Sequence, residues 1–186
     1  MFKTLKLPRV TLRLITHKHA AQLFTILNNQ LVAQFNDYKT PLSKADIKQL
    51  IQDDINGYYE GNVIRVAIEH NINGNLIGTC GLYKIEHKSS SAFIGFELAP
   101  FFWQQGLMSE VLVGFIDALP SILQIDQLFA QVNTQNIRSH TLLTKLGFEL
   151  ASEAIIKSAD GVNDLKLNNN FDKAQSKIWH KCLNTK

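Results

Sequence analysis

Three stretches of this chain have residue types and spacings that chemistry can use. In ELAPFFWQQGLMSE, Glu97 to Glu110, an extended segment passes through one glycine and becomes an apolar helix. Gly106 lets backbone approach a ligand closely, and the amides from Gln105 through Leu107 and Met108 to Ser109 point together out of the first helical turn, where the helix dipole favours an anion. The same glycine also serves as a plain strand breaker with Gln105 or Ser109 as polar cover. Glu97 alternates with Phe93 and Gly95 on one strand face, opposite Ile94, Phe96 and Leu98, so it can point into a cleft. A carboxylate there can take a proton from an amine, directly or through water, with rate effects on the order of 10² to 10⁴. It can equally be a structural glutamate paired with a basic residue on a neighbouring strand.

The third stretch is NTQNIRSHTLLTKLGF, Asn133 to Phe148. Ser139, Leu142, Leu143 and Leu146 fall at i, i+3, i+4 and i+7, which turns Ser139 inward while Arg138, Thr141 and Lys145 face water. Asn136 stands where a helix cap belongs, so cap and ligand contact are both open, and Asn133 is a turn residue or a ligand contact. His140 beside Ser139 does not make a Ser/His nucleophile, because adjacent residues on a helix diverge. His17 and His19 do not share a helical face either, and no metal is expected. Glu149 and Glu153 are weaker acid/base candidates. GxGxxG and GxxxxGK[ST] are both absent, which removes the main support for dinucleotide and ordinary triphosphate sites.

The elements that must position these groups read plainly. VTLRLI alternates as a half-buried strand, Thr16 can cap the helix HKHAAQLFTILNN, and a loop follows. Ser43 with Asp46 three residues on opens a second helix, with Ile47, Leu50, Ile51 and Ile55 at helical spacing. VIRVAIEH, NLIGTCGLYKI and SAFIGFEL form an antiparallel meander. Beyond Pro100 come a helix (Leu107 to Leu119), the strand QLFAQVN, a helix (Asn136 to Leu146) and a strand beginning GFELASEAII. Strand, helix, strand predicts a right-handed parallel crossover, and ligands in open α/β sheets bind outside the carboxyl ends of such strands. Residues 157–175, rich in Asn, Asp and Gly, read as a long exposed loop, and SKIWHKCL as a last strand.

Composition sets the frame. With 186 residues, 45% hydrophobic, one α/β domain over residues 1–186 is expected, and a formal charge of +3 is too small to imply a nucleic-acid or membrane partner. Two cysteines outside any CxxC pairing fit a reducing compartment, and neither a signal peptide nor a membrane-length apolar run occurs. A soluble, cytoplasmic protein is expected.

IGFELAPFFWQQGLMSEVL with QVNTQNIRSHTLLTKLGFEL resembles the GNAT superfamily of acyl-CoA-dependent N-acyltransferases, and PRVTLRLIT resembles the opening of its ribosomal-protein N-acetyltransferase branch. The family loop Q/R-x-x-G-x-G/A falls on Trp103, Gln104, Gln105, Gly106, Leu107 and Met108, departing at its first and last positions. The resemblance implies a mostly antiparallel sheet with one parallel pair splayed around acetyl-CoA and helices on both faces. It implies that the loop cradles the pyrophosphate, that Phe96 to Leu98 pair with pantetheine, and that Asn133, Asn136 and Ser139 lie beside the cofactor arm. The tyrosine that many members use to protonate the departing thiolate is replaced by Leu143, which leaves Ser139 or a water. Glu97 would be the base, offering the transfer of acetyl directly to a primary amine. Phe35 and Tyr38 are expected in the acceptor wall, and the acceptor, a peptide amino terminus or a small molecule, stays open, as does a homodimer. The rival reading is a non-catalytic acyl-CoA sensor.

Overall fold

The computed structural model describes residues 2–36, 38, 40–158 and 176–183. Its centre is a mixed sheet of order β1-β2-β3-β4-β5-β6-β8-β7. Short β1 (Leu5–Lys6) pairs with β2 (Val10–Leu14), which runs antiparallel to β3 (Ile64–His70). β3, β4 (Leu76–Glu86) and β5 (Ser91–Leu98) form the expected antiparallel meander. After helix α4 (Leu107–Ala118), β6 (Gln127–Asn133) lies parallel to β5, as the crossover rule requires.

Helices cover both faces. Ile64, Val66 and Ile68 of β3 turn towards α4 and α5 (Ile137–Lys145), packing with Val111, Phe115 and Leu143. The alternate residues of β3 face α1 (Ala20–Leu27) and α3 (Lys44–Glu60), where Ala67 packs with Leu23, Ile47 and Ile51. The Ser43 cap of α3 is formed as its sequence implies, Asp46 N–H donating to Ser43 Oγ at 3.1 Å and Ser43 N–H to Asp46 Oδ2 at 2.7 Å.

Two local expectations change. The loop after α1 contains a short helix, α2 (Gln30–Ala33), because Asn29 caps it by accepting from Leu31 N–H at 3.0 Å. The strand expected from Gly147 onward is confined to β7 (Glu149–Leu150), and α6 (Glu153–Ser158) follows. Ile156 N–H bonds the Ser152 carbonyl at 3.0 Å, and Ile155 and Ile156 then pack on Phe93 and Phe129, burial that an edge strand would not supply. The last strand, β8 (Ser176–Cys182), inserts between β6 and β7. The loop read from the Asn-rich sequence lies, after Ser158, outside the described residues. Among the described residues no helix is long and apolar enough to cross a membrane.

Candidate active site

The site begins where the sheet opens. β5 and β6 pair only from Ser91↔Gln127 to Phe93↔Phe129, and from Ile94 to Leu98 that edge of β5 has no strand beside it among the described residues. Phe96 and Glu97 point to opposite faces of β5, yet both reach the cleft, because it passes through the gap in the sheet. The cleft measures about 410 Å³. Besides Phe96 and Glu97, the sequence-expected residues Leu98, Gln104, Gly106, Leu107, Met108, Ser109, Asn136, Ser139 and Phe35 line it.

The turn into α4 is made for backbone contact. Gln104 and Gly106 both adopt left-handed conformations, with φ of 60° and 72°. The first backbone bond of α4 runs from Glu110 N–H to the Gly106 carbonyl at 3.1 Å, so the amides of Leu107, Met108 and Ser109 precede any intrahelical partner. Arg9 straps the turn from outside: its Nε meets Glu110 Oε2 at 2.6 Å and its Nη1 donates to the Gln105 carbonyl at 2.8 Å. Trp103 Nε1 donates to the Leu98 carbonyl at 2.6 Å, and Arg138 lies over the Trp103 ring at 4.1 Å.

Not every expected residue reaches the wall. Gln105 turns its side chain back on the loop, Nε2 to the Phe101 carbonyl at 2.8 Å. Asn133 accepts from Gln135 N–H at 2.9 Å and shapes the turn after β6, and Glu149 and Glu153 lie away from the cleft. Asn136 is the cap of α5, accepting from Ser139 N–H at 3.2 Å, and it also borders the cleft. His140 is a brace: Trp179 Nε1 donates to its Nδ1 at 2.9 Å, so Nε2 carries the proton that it gives to the Asn133 carbonyl at 3.0 Å. Leu143 is fully buried in the core. Arg138, Thr141 and Lys145 are exposed as their helical face requires, and they also rim the cleft, a role that the sequence reading missed.

Glu97 has partners that the sequence named only generically. Thr79 Oγ1, directly opposite on β4, and Arg65 Nη2, from β3, both donate to its Oε1, which leaves Oε2 for the cleft. Arg65 stands opposite Gly81, where an added Cβ would lie 2.1 Å from the Ile64 carbonyl oxygen and 2.8 Å from Arg65 Cα; only glycine admits that approach. Arg65 Nε donates to Thr79 Oγ1 at 3.1 Å, and its Nη1 meets the Tyr38 hydroxyl at 3.0 Å and Asp54 Oδ2 of α3 at 3.3 Å. Tyr38 thus sits behind the wall, holding Arg65, while Phe35 forms the wall itself. Burial works against the Arg65 charge, yet Glu97, Tyr38 and Asp54 together hold its pKa above the ordinary arginine value. Burial pushes Asp54 up to about 6, against the attraction of Arg65 and with the repulsion of Glu97. Asn36, which also lines the cleft, has a buried side-chain amide, Nδ2, without a hydrogen-bond partner among the described residues.

An open strand edge, a row of unspent amides at a helix start and a carboxylate beside them suit a thioester carried on a diphosphate arm. The acetyltransferase (GNAT) domain profile matches residues 9–149, and the chain belongs to that family. An N-acetyltransferase of Bacillus subtilis (strain 168), YoaA, itself described as uncharacterized, is 33% identical over 149 residues, covering 80% of this chain and 84% of the relative. The solved RimL ribosomal L7/L12 alpha-N-protein acetyltransferase in complex with coenzyme A superposes with a TM-score of 0.79 at 19% identity, over 97% of this chain and 98% of that one. Spermidine N-acetyltransferase from Vibrio cholerae, in complex with CoA and spermine, gives 0.74 at 17% identity, over 94% and 95%. The chain is an acyl-CoA-dependent acetyltransferase with acetyl-CoA as cosubstrate. Its residues fit that group: Gly106 keeps the turn open, the amides of Leu107 to Ser109 would be free to hold a diphosphate, and Arg138 and Lys145 place cations on the rim.

Proposed function

We propose that this acetyltransferase acts on an amine of low pKa, a peptide α-amine or a comparable small-molecule amine, by direct attack on the thioester. The observation that carries the reading is Glu97, a carboxylate fixed through one oxygen and open through the other on the stretch of β5 beyond its pairing with β6. The amine nitrogen bonds to the thioester carbonyl carbon and the carbon–sulfur bond breaks. The proton lost by nitrogen passes to Glu97 Oε2, directly or through water, and the departing sulfur takes a proton from Ser139 Oγ, restored from solvent, or from water. Free backbone N–H groups along β5 near Phe96 to Leu98 are placed to stabilise the oxyanion, an effect typically worth 10² to 10³ in rate for one donor.

Two features favour an α-amine. An α-amine, pKa near 8, is appreciably neutral at physiological pH, whereas a lysine side chain near 10.4 is almost wholly protonated and asks more of a single carboxylate. A peptide also has a carbonyl oxygen beside its amine-bearing carbon, which would satisfy the unpartnered Asn36 amide; a polyamine has none. The test is competition between a peptide with a free amino terminus and the same peptide blocked there but carrying an internal lysine, with products mapped by mass spectrometry. Faster modification of the free amino terminus is expected, and the reverse order overturns the preference.

A further inference from the structure

The group of side chains behind Glu97 has a composition that structural pairing alone does not require. Two carboxylates, Asp54 from α3 and Glu97 from β5, share one buried guanidinium from β3, with about a tenth of each side chain exposed. A single Arg–Glu pair would satisfy both its charges, and a second buried carboxylate costs desolvation that one cation does not fully offset. Asp54 is nevertheless aimed at Arg65, on the edge of the guanidinium away from Glu97: Asp54 takes Nη1, and Glu97 takes Nη2.

We propose that Asp54 is a positioning residue for acetyl transfer: by holding the Nη1 edge of Arg65 it keeps the guanidinium from turning both edges onto Glu97, and so keeps Glu97 Oε2 open to the amine. The proposal rests on the reading of Glu97 as the base. Arginine and carboxylate prefer a fork in which two N–H groups meet two oxygens. Here that fork would cover the oxygen that the reaction uses. Tyr38 shares Nη1, its hydroxyl at 3.0 Å against 3.3 Å for Asp54 Oδ2, and Asp54 adds a carboxylate to that edge. The groups facing Asp54 are Asp53 on its own helix, Arg65 from β3, Glu97 from β5 and Tyr38 after α2; His17, ahead of α1, bonds Gln52 of α3. Its titration near 6 then couples the arrangement to pH, because a protonated Asp54 no longer holds Arg65 by charge.

The experiment compares wild type with Asp54→Asn from pH 5 to 8.5 on a short peptide with a free amino terminus, at saturating acetyl-CoA. An amide holds Nη1 no better than a protonated acid, so the ratio of wild-type to variant kcat should be near 1 at pH 5 and rise through a step near pH 6 to roughly 5- to 10-fold above pH 7. Protonation of the acceptor affects both enzymes equally and cancels in the ratio. A flat ratio, the mark of a merely structural aspartate, overturns the proposal. Glu97→Gln separates the two readings. If it has wild-type turnover, the base assignment fails and the positioning role with it; if it is impaired while the Asp54 ratio is flat, only the positioning role fails. In the Glu97→Gln background, Asp54→Asn should change nothing further. A measurement free of turnover and of variants completes the set: the side-chain carboxyl of Asp54, followed by ¹³C NMR in the wild-type protein, should titrate with the same midpoint as the step in the kcat ratio, and a step at a different pH from that midpoint overturns the proposal.

Discussion

The two halves of the cleft are built by different means. At the start of α4 the work falls to backbone: two left-handed residues, three amides ahead of the first helical bond, and Arg9 strapping the turn. On the acceptor side it falls to side chains brought from α3, β3, β4 and β5 and from the segment after α2. A backbone cradle is robust to side-chain change, which is how Met108 can stand where the family loop has a small residue. A buried charge network has no such tolerance, since removing one partner strands another.

The contrast is tested most strongly at Glu97. Glu97→Gln should lower kcat on the order of 10²- to 10⁴-fold while leaving coenzyme A binding close to wild type, measured as the shift in melting temperature on adding coenzyme A. Equal loss of turnover and cofactor binding would mean that the two halves are not separable. The converse variant is Gly106→Val. At φ of 72° a β-branched residue is strained whatever space surrounds it, and the nearest atom to an added Cβ, Arg9 Nη2 at 3.7 Å, leaves room. The expected result is a loss of roughly 10-fold or more in coenzyme A affinity from conformational strain of about 1–2 kcal/mol. Gly106→Asn should lose much less, because asparagine enters that region readily.

The same contrast explains what could be read before the structure. The cradle is written in consecutive residues: a strand, Gly106 and an apolar helix identify it with no knowledge of tertiary contacts. The meander, the Ser43 cap and the parallel crossover were legible for the same reason, since each rests on a short-range pattern. The partner of Glu97 was not. Arg65 stands 32 positions away on a strand that is not even adjacent to β5, and nothing local marks it out from Arg13, which instead pairs with Glu69. Asn36 and α2 were missed because an Asn29 cap over a single turn gives too short a period to detect. Tyr38 was expected in the wall and lies one layer behind it, a distinction of side-chain direction that an irregular segment does not encode. Arg138 was assigned to solvent from its helical face, which is right as far as it goes; only the position of Trp103 shows that this face also meets the cleft.

Arg138 gives the next, smaller test. Arg138→Ala removes a rim cation pre-placed on the Trp103 ring and should weaken coenzyme A by roughly 3- to 10-fold, the modest value of an exposed charge. Because the effect is electrostatic, the difference from wild type should shrink as salt is raised. A salt-independent loss would mean that Arg138 acts by supporting Trp103 rather than by meeting phosphate.

The smallest effect expected concerns stability, and its sign is opposite to that of carboxylates held by ion pairs or hydrogen bonds, whose pKa is lowered on folding. Asp54 has its folded-state pKa raised from 3.8 to about 6, because burial outweighs the attraction of Arg65. Between those values the folded state binds the proton more tightly than the unfolded chain does, so the contribution of this group to stability falls as pH rises through the window and is flat above it. Going from pH 5 to pH 7.5 should therefore remove about 1 kcal/mol from the wild type through Asp54 alone. Asp54→Asn cannot titrate and should lack that component, so the difference in unfolding free energy between the two proteins should shift by the same amount, in favour of the variant, over this range. Urea denaturation of both at the two pH values measures it. No shift over this range would mean that the Arg65 pairing offsets burial, since a carboxyl held at or below its ordinary pKa is already ionised in both states at pH 5, and the backbone cradle and the charge network would then differ less in what they cost the fold.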